Sequence, residues 1–251
     1  MAQDRPVALV TGASDPEGAG NIGYSVAEAF AVDHSVLLAD LRDPSASAAR
    51  LGASAFAIAG DVTRLDDCEK MVAAAEAQGP LKVLVHAAGI TRPATRIENL
   101  DPAEWDHVLR TNLTSAFLIA RAAIPTLKRA GGGHIVLVSS RAGRTPFAIR
   151  GVSPVATKAH YAASKAGIIS LTRALALELA ADGIKVNCVA PGPVKTRIMP
   201  KESYQAAAAS VPLGRMAEPS EVASVVRFLC SDAASYMTGA ILDVNGAQVL
   251  S

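Results

Sequence analysis

Short apolar runs alternate with longer segments of helical periodicity along this 251-residue chain. The runs are apolar throughout, which predicts strands that are covered on both faces. The predicted strands are 6–11, 35–40, 55–60, 82–87, 134–139, 185–190 and 240–244. Apolar residues at i, i+3 and i+4 predict helices at 22–32, 64–78, 102–130, 158–181 and 219–229. This alternation predicts one α/β domain over 1–251, with a doubly wound parallel sheet of about seven strands and helices on both faces.

Composition narrows the class of protein. Half of the residues are hydrophobic, which suffices for a buried core. Lys and Arg number 24 against 23 Asp and Glu, so the net charge of +1 favours neither a nucleic-acid partner nor a membrane partner. The cysteines Cys68, Cys188 and Cys230 are far apart, so neither a disulfide framework nor a metal site is predicted. With no signal peptide and no uninterrupted apolar span, we expect a soluble cytoplasmic protein.

Two segments are too long and irregular to be simple connections. They are 141–157, which is rich in Gly, Pro, Ser and Thr, and 191–213. Both follow the carboxyl end of a predicted strand, where open α/β sheets bind ligands. We therefore expect substrate loops around 141–160 and 191–213.

The end of the first predicted strand has the chemistry of a dinucleotide site. The strand runs into Thr11-Gly12-Ala13-Ser14, and a helix begins near Gly20-Asn21-Ile22-Gly23. A glycine-rich turn that opens a helix presents backbone N–H groups and the positive helix end to a pyrophosphate, although an ordinary surface turn can have the same composition.

Asp40, at the end of the second predicted strand, favours NAD over NADP. Its carboxylate can accept hydrogen bonds from the ribose hydroxyls and would repel a 2′-phosphate. Asp15 and Glu17 in the turn add negative charge, and Leu41 is not the basic residue that such a phosphate needs. A solvated strand end is the alternative interpretation of Asp40.

Tyr161 and Lys165 are four positions apart, so they share one face of a predicted helix. A free tyrosine, with a pKa near ~10, is a poor base at neutral pH. We expect the ammonium of Lys165, and an oxidised nicotinamide ring, to lower that pKa so that Tyr161 can exchange a proton with a substrate oxygen. Ser140 ends the fifth strand, where its hydroxyl can polarise the same oxygen. Asn112, inside a helical segment, can open a backbone turn that holds a water.

Several short motifs follow one another along nearly the whole chain. They are Thr11-Gly12, Asp61-Val62, His86-Ala87-Ala88-Gly89, Asn112, Ser140, Tyr161-x-x-x-Lys165, Pro191-Gly192 and Thr196. Their order and spacing resemble the short-chain dehydrogenase/reductase family, which implies a Rossmann-like fold and Asn112, Ser140, Tyr161 and Lys165 as the catalytic set. The resemblance implies that the cofactor is held by Gly12, Ser14, Asn21, Ile22, Gly23, Asp40, Asp61, Val62, Ala88, Gly89, Tyr161, Lys165, Pro191, Gly192, Val194 and Thr196.

The resemblance also assigns roles within that set. Asp61 and Val62 would form the adenine site, and Lys165 would bind the nicotinamide ribose. Val194 and Thr196 would hold the carboxamide. In the family, Asn112 belongs to a proton relay that leads to Lys165.

The chain departs from the family pattern at two motifs. Gly12 and Gly23 are 11 positions apart, which is more than is usual in the family, and Asn21 stands where the middle glycine is expected. His86 replaces the usual first asparagine of its motif. Because a histidine at a strand end is more often a packed structural residue, we assign it no chemistry.

The leading hypothesis is an NAD-dependent oxidoreductase that interconverts a secondary alcohol and a ketone, with Tyr161 as the general acid/base. The three-residue gap between Tyr161 and Lys165 favours this reaction over reduction of a C=C bond, because enoyl reductases of this fold space the pair further apart. One alternative is a 3-oxoacyl-acyl-carrier-protein reductase, although those mostly use NADPH. The alternative from another class is a non-enzymatic dinucleotide-binding sensor.

The segment between Ser139 and Tyr161 is basic. It contains Arg141, Arg144, Arg150 and Lys158 and no acidic residue, and Arg92, Arg96, Lys195 and Arg197 lie on segments that could border the same cleft. One interpretation is an anionic substrate such as a hydroxy or keto acid, a phosphorylated compound or an acyl carrier. The other is a solvated basic loop. The loop also has an apolar side that could close over a substrate, formed by Phe147, Ile149, Val152 and Val155.

Assembly is implied by the resemblance alone. Family members are commonly homotetramers in which two long helices form one interface and the C-terminal strand region another. Segments 102–130 and 158–181 would be those helices, and Val249-Leu250 would lie near the second interface.

Overall fold

The computed structural model describes residues 5–18, 20–145, 156–197, 199 and 201–250. Most of the predicted substrate loop 141–160 is outside the described residues. The same holds for Arg150 and for the apolar positions Phe147, Ile149, Val152 and Val155 of that loop.

Seven strands form one sheet, in the order β3-β2-β1-β4-β5-β6-β7. Every neighbouring pair is parallel. The strands are β1 (Val7–Thr11), β2 (Ser35–Asp40), β3 (Ala55–Ala59), β4 (Leu81–His86), β5 (Gly133–Val138), β6 (Ile184–Pro191) and β7 (Ile241–Val244). The predicted doubly wound, Rossmann-like parallel sheet is confirmed.

Helices cover both faces of this sheet. They are α1 (Ile22–Phe30), α2 (Ser45–Leu51), α3 (Leu65–Glu76), α4 (Pro102–Leu109), α5 (Ser115–Arg129), α6 (Ala159–Leu179), α7 (Tyr204–Ala209) and α8 (Pro219–Leu229). One buried cluster joins the sheet to α3, α5 and α6, and a second joins it to α1 and α8. In the described part of the chain, no helix combines the length and apolar character that crossing a membrane requires.

The helices differ from the prediction in two respects. The helix predicted over 102–130 is interrupted, because Arg110–Thr114 forms a π-helical turn between α4 and α5. The short helices α2 and α7 were not predicted, since six or seven residues, mostly small ones such as Ala, are too few to show a periodicity.

The crossover from β3 to β4 places the ends of β1 and β4 side by side, at the point where the strand order reverses. Gly12 follows β1 with a φ of +70°, and a Cβ at this position would lie 2.6 Å from the Ala88 backbone. A Cβ at Gly23, near the start of α1, would lie 2.4 Å from the Gly12 carbonyl oxygen. Open α/β sheets bind ligands in the crevice at such a reversal.

A series of buried hydrogen bonds between side chains lies beneath this crevice. The ring of His86 bonds the Thr11 hydroxyl through Nδ1 at 2.8 Å and the Ser115 hydroxyl through Nε2 at 3.0 Å. Ser115 donates its own proton to the Thr111 carbonyl at 2.5 Å. It must therefore accept from Nε2–H, which leaves Nδ1 to accept from Thr11.

The direction of these hydrogen bonds requires a neutral His86 ring. Burial, aided by the charge of Lys165, lowers the pKa of His86 to about 3. These hydrogen bonds support a structural role for His86, because its ring, on β4, links β1 to the π-helical turn through Thr11 and Ser115.

We expect acid to destabilise the protein through His86. In the unfolded chain this histidine binds a proton near its ordinary pKa of 6.5, whereas the native ring resists protonation down to about 3. The stability that the neutral ring contributes is thus present above 6.5 and is lost towards pH 3, by up to about 1.4 kcal/mol per pH unit. Urea unfolding at a series of pH values measures this slope.

A matched pair of variants isolates the effect. His86→Asn, which has no titrating ring, should have a shallower slope in this range. Part of the remainder comes from His134, whose pKa burial lowers to about 4, and part from carboxyls such as Asp33 and Glu221, whose pKa values hydrogen bonds from arginines lower to about 2. The exposed His107, changed to Asn, should leave the slope unchanged. Equal slopes in all three proteins would show that His86 does not determine the acid response.

Candidate active site

Ser140 and Tyr161 meet where β5 ends against α6. Ser140 caps a 3₁₀ turn, Arg141–Gly143, and its hydroxyl accepts the Ala142 N–H at 3.1 Å. Tyr161 lies in the first turn of α6, and its phenol is close enough to the Ser140 side chain for that hydroxyl to lower its pKa. The two hydroxyls that the sequence assigned to one substrate oxygen are therefore side by side.

Lys165 is held between the same two elements by reciprocal bonds. Its Nζ donates to the Val138 carbonyl at 2.9 Å, and the Ser139 hydroxyl donates to the Lys165 carbonyl at 2.7 Å. A Cβ at Gly143 would lie 2.6 Å from the Lys165 carbonyl carbon, so the turn after Ser140 packs directly on the α6 backbone. The register between β5 and α6 at this point is thus tightly constrained.

The electrostatics differ from the expectation for Tyr161. Burial raises the pKa of Tyr161, and the opposing influences are the Ser140 hydrogen bond and the charge of Arg141. Lys165 Nζ lies 5.7 Å from the Tyr161 ring centroid and points to a backbone carbonyl, while burial lowers the pKa of Lys165 to about 8. In the free protein, Ser140 and Arg141, rather than Lys165, favour the phenolate.

Asn112 lies at the centre of the π-helical turn and is fully buried. Its amide pairs with the backbone of Ile90, accepting from N–H at 2.8 Å and donating to the carbonyl at 3.0 Å. It also donates to the Ser164 hydroxyl on α6 at 3.0 Å. Asn112 thus ties the segment after β4 to α6 beneath the site, and its part in a proton relay stays a prediction.

Two adjoining clefts run across the strand ends, of about 600 Å³ and 790 Å³. They share Ile22, Ala87, Gly89, Ile90 and Thr196. The first, the cofactor cleft, is also lined by Gly12, Asn21, Gly23, Asp40, Asp61, Val62 and Ala88. The second, the substrate cleft, is also lined by Ser140, Tyr161, Lys165, Pro191, Gly192 and Val194. The structure thus brings together all the predicted site residues except Ser14 and Asn112, which lie behind the cleft walls.

The cofactor cleft fits a dinucleotide. Asn21 caps α1 by accepting the Tyr24 N–H at 3.1 Å, and the first turn of α1 carries no acidic residue, so its positive end faces the cleft. A Cβ at Gly89 would lie 3.2 Å from Asn112 Oδ1 and 3.4 Å from Lys165 Nζ. A larger residue at Gly89 would therefore crowd the cleft floor beside Lys165.

Asp40 is held in place by the turns around it. Its two oxygens accept the Ser14 N–H at 3.0 Å and the Arg42 N–H at 3.1 Å. These bonds aim a nearly buried carboxylate into the cofactor cleft, where the sequence predicted the adenosine ribose.

Asp15, in the lengthened glycine turn, is bonded away from the cleft. The Asp15 N–H donates to Ser47 Oγ at 2.8 Å, and Arg50 donates to the Asp15 carbonyl at 2.5 Å. The Asp15 carboxylate accepts the Gly20 N–H at 3.3 Å. Because neither Asp15 nor Glu17 lines the cleft, their charge gives less support to NAD than the sequence suggested.

Sequence reasoning missed several residues that line the clefts. Arg42 lines the cofactor cleft beside Asp40, and its position two residues after that aspartate could have identified it. Gln248 reaches the substrate cleft from the C-terminal segment, where its Nε2 donates to Ser210 Oγ at 2.8 Å. No local pattern marks Gln248, because its place depends on how the chain returns after β7.

No metal site accompanies these clefts in the described residues. Within those ranges, no group of three or more His, Cys, Asp or Glu side chains is arranged to hold a metal ion. The polar groups of the site are instead hydroxyls, amides and single charges, which suit acid–base chemistry on an organic substrate.

Comparison with known proteins agrees with this geometry. A family model described as enoyl-(acyl carrier protein) reductase matches residues 18–247. The chain is 39% identical over 249 residues to cis-4-hydroxycyclohexanecarboxylate dehydrogenase of Sinomonas cyclohexanicum, covering 96% of this chain and 95% of that protein. It is 35% identical over 257 residues to the 3-oxoacyl-acyl-carrier-protein reductase FabG of Vibrio cholerae, covering 100% of both.

A solved structure is also similar to this chain over nearly its whole length. The crystal structure of gox2181 superposes with a TM-score of 0.86 at 34% identity, covering 98% of this chain and 96% of the other. The matches therefore extend over nearly the whole chain and include proteins named as dehydrogenases and as reductases. The chain belongs to the short-chain dehydrogenase/reductase family of oxidoreductases.

Proposed function

We propose that this oxidoreductase uses NAD(H) to interconvert a secondary alcohol and a ketone. The observation that carries the proposal is that Ser140, Tyr161 and Lys165 line one cleft, with Ser140 near enough to the Tyr161 phenol to lower its pKa. Two hydroxyls that converge on one point suit a single carbinol or carbonyl oxygen. A cofactor cleft opens beside them.

The chain's own residues account for the proton and the oxygen. In oxidation, Tyr161 accepts the proton of the substrate hydroxyl while the C–H bond of the same carbon breaks, and Ser140 donates a hydrogen bond to the oxygen that becomes the carbonyl. A bound nicotinamide supplies the acceptor for the hydride. Lys165, held at Val138, adds positive charge beneath the site. In reduction, Tyr161 returns the proton to the substrate oxygen.

Asp40 supports NAD rather than NADP. Its carboxylate is fixed by two backbone N–H groups and faces the cleft, so a 2′-phosphate there would meet a negative charge. Arg42 lies on the same wall, but its guanidinium donates to the Ser14 carbonyl at 3.3 Å. We give Asp40 the greater weight because it is nearly buried, whereas the side chain of Arg42 is exposed.

A 3-oxoacyl-acyl-carrier-protein reductase is the second candidate. The position of Arg42 in the cofactor cleft favours it, because such enzymes mostly use NADPH, and so does the similarity to the Vibrio cholerae reductase. The name of the Sinomonas relative, a hydroxy carboxylic acid dehydrogenase, favours the first proposal. The intact Ser140, Tyr161 and Lys165 argue against the non-enzymatic sensor.

We also propose that the protein acts on a small molecule and assembles as a homotetramer. Two apolar side chains support the assembly, Phe117 on α5 and Leu177 on α6, which are 47% and 86% exposed. Leu250, in the C-terminal segment assigned to the second interface, is also 86% exposed. Large exposed apolar side chains on the helices named by the family resemblance are typical of an interface.

Replacing Tyr161 by Phe tests the chemistry. The variant keeps the ring but loses the proton, so we expect turnover of alcohols and ketones to fall by about 100- to 10,000-fold. The affinity for NADH, measured by fluorescence, should stay within a few-fold of the wild type. Tyr236→Phe is the matched control, because Tyr236 is fully exposed and lines neither cleft. Near-wild-type turnover in Tyr161→Phe would reject this mechanism.

Thermal shift with NADH and, separately, NADPH tests the cofactor. A ligand at about 100 times its dissociation constant should raise the melting temperature by roughly 5–10 °C, and we expect this for NADH alone. Asp40→Asn removes the charge and should reduce the NADH shift while increasing the NADPH shift. The exposed Asp106, changed to Asn, is the control. A shift with NADPH alone would favour the acyl-carrier reductase, and none with either would contradict the dinucleotide site.

Light scattering tests the assembly. We expect the mass of four chains for the wild type and a smaller assembly for Leu177→Glu, because the new carboxylate would be buried without a partner. Val32→Glu is a suitable control, since Val32 is 81% exposed and lies outside the proposed interfaces. A monomeric wild-type protein would contradict the proposal.

A further inference from the structure

The short helix α7 forms one wall of the substrate cleft, but packing holds it there only weakly. Ser203, Ala206, Ala207 and Ser210, on or beside this helix, all line the cleft. The helix has six residues, and none of them is buried. A helix of this length is not stable by itself, and without a buried face the hydrophobic effect contributes little to its position. The contacts at its two ends therefore decide where α7 lies.

The first end of α7 is bonded to the segment after β6. The Tyr204 hydroxyl donates to the Thr196 carbonyl at 3.4 Å, and Thr196 lines both clefts. This distance is well beyond the usual length of about 2.7–2.8 Å for a hydrogen bond between two oxygens, so the bond is weak. The stronger hold on the helix must come from its other end.

The second end of α7 is bonded to Gln248. The side-chain Nε2 of Gln248 donates to the Ser210 hydroxyl at 2.8 Å and to the Ser210 carbonyl at 3.3 Å. The Ser210 hydroxyl gives its own proton to the Ala207 carbonyl at 2.7 Å, which leaves its oxygen free to accept from Gln248. One amide group thus engages the last turn of the helix, at residues that line the substrate cleft.

The backbone before Gln248 supports this bond. A Cβ at Gly246 would lie 2.5 Å from Val211 Cγ1, and the Leu213 N–H donates to the Gly246 carbonyl at 3.4 Å. The segment that carries Gln248 therefore packs closely on the residues that follow α7.

The same segment is fixed on its other side by the turn after β6. The Gly192 N–H donates to the Val244 carbonyl at 3.0 Å, and a Cβ at Gly192 would lie 2.9 Å from Asn245 Cα. Next come Gly246 and Ala247, with φ angles of +61° and +67°. Ala247 is the one non-glycine residue with a positive φ among those that the structure describes, and this conformation costs an alanine free energy. The strained turn directs Gln248 back to α7.

We propose that Gln248 is a positioning residue, whose amide NH₂ group holds α7 in place as the wall of the substrate cleft. Its own carbonyl oxygen Oε1 is shielded from solvent and has no hydrogen-bond partner in the described part of the chain, so the NH₂ group makes both side-chain bonds. Through this hold, Ala206 and Ala207 contact the hydrocarbon body of the alcohol or ketone. The inference rests on the proposed function for its effect on turnover, but not for the hold on the helix.

Hydrogen exchange followed by mass spectrometry tests the hold without any substrate. Amides of residues 204–213 should exchange about 5- to 10-fold faster in Gln248→Ala than in the wild type, as for the loss of one hydrogen bond. Amides of β6 should be unchanged, which shows that the fold is intact. Gln205→Ala is the matched control, because Gln205 is an exposed residue of α7 that lines neither cleft. Unchanged exchange in Gln248→Ala would overturn the proposal.

Kinetics with cyclohexanol and saturating NAD⁺ test the effect on the substrate. This secondary alcohol has no second polar group, so a change in its KM reports the position of the wall and not a direct hydrogen bond to Gln248. In Gln248→Ala, KM should rise by about 5- to 10-fold, whereas kcat should stay within about threefold because Ser140, Tyr161 and Lys165 are unchanged. A fall in kcat at unchanged KM would overturn the positioning role.

Gln248→Lys separates the two halves of the amide group. Lysine supplies hydrogen-bond donors at the end of a long side chain but has no carbonyl oxygen. This variant should recover most of the wild-type exchange rate and of the wild-type KM. If Gln248→Lys resembled Gln248→Ala in both measurements, the NH₂ group would not be the part that acts, and the proposal would be wrong.

The two proposals can fail separately. If exchange in α7 is faster in Gln248→Ala but the wild type oxidises neither cyclohexanol nor any other alcohol, the hold on α7 stands and the proposed reaction is wrong. If the wild type oxidises cyclohexanol and neither exchange nor KM responds to Gln248→Ala, the positioning role is wrong and the proposed reaction stands. Faster exchange with an unchanged KM would also reject the positioning role.

Discussion

The close backbone contact of Gly12 with Ala88 is the constraint on which the rest of the site depends. A Cβ at Gly12 would lie 2.6 Å from the Ala88 backbone, and one at Gly23 would lie 2.4 Å from the Gly12 carbonyl oxygen. Only glycines allow these segments to approach so closely. Their contact forms the floor of the cofactor cleft and brings the start of α1 to the ends of β1 and β4.

A layer of uncharged polar groups below that floor links it to the catalytic residues. His86 joins Thr11 to Ser115, which bonds the π-helical turn, and Asn112 in that turn bonds both Ile90 and Ser164 of α6. The turn therefore has two anchors, one on the cofactor side and one on the side of Tyr161. A π-helical turn frequently occurs at functional sites, where it is held by such contacts.

The sequence predicted the sheet closely because buried parallel strands are continuous apolar runs. The prediction of 35–40 matches β2 in full, and 219–229 matches α8. The catalytic residues could also be identified from the sequence, since Tyr161 and Lys165 share one helix face and Ser140 follows a strand. The interruption at Arg110–Thr114 could not be predicted, because it depends on side chains such as Asn112 that bond residues distant in the sequence.

The lengthened glycine turn illustrates the same limit. From the sequence, the charge of Asp15 was expected to lie near the cofactor. In the structure, its carboxylate accepts a hydrogen bond from Gly20 instead, and its backbone bonds Ser47 and Arg50 of α2. Since α2 is too short to show a periodic pattern, the partner that draws the turn away from the cleft was not visible in the sequence.

Arg141 links the charge of the substrate cleft to the protonation of Tyr161. This guanidinium lowers the pKa of Tyr161 against the larger effect of burial. A substrate that brings a negative charge to this part of the cleft would offset part of the positive charge that Tyr161 experiences and would favour the protonated phenol. Tyr161 would then be a better acid than base with the anion present, unless the positive charge of an oxidised nicotinamide counteracted it. In such a site, the charge of the substrate and the redox state of the cofactor set the protonation of Tyr161 in opposite directions.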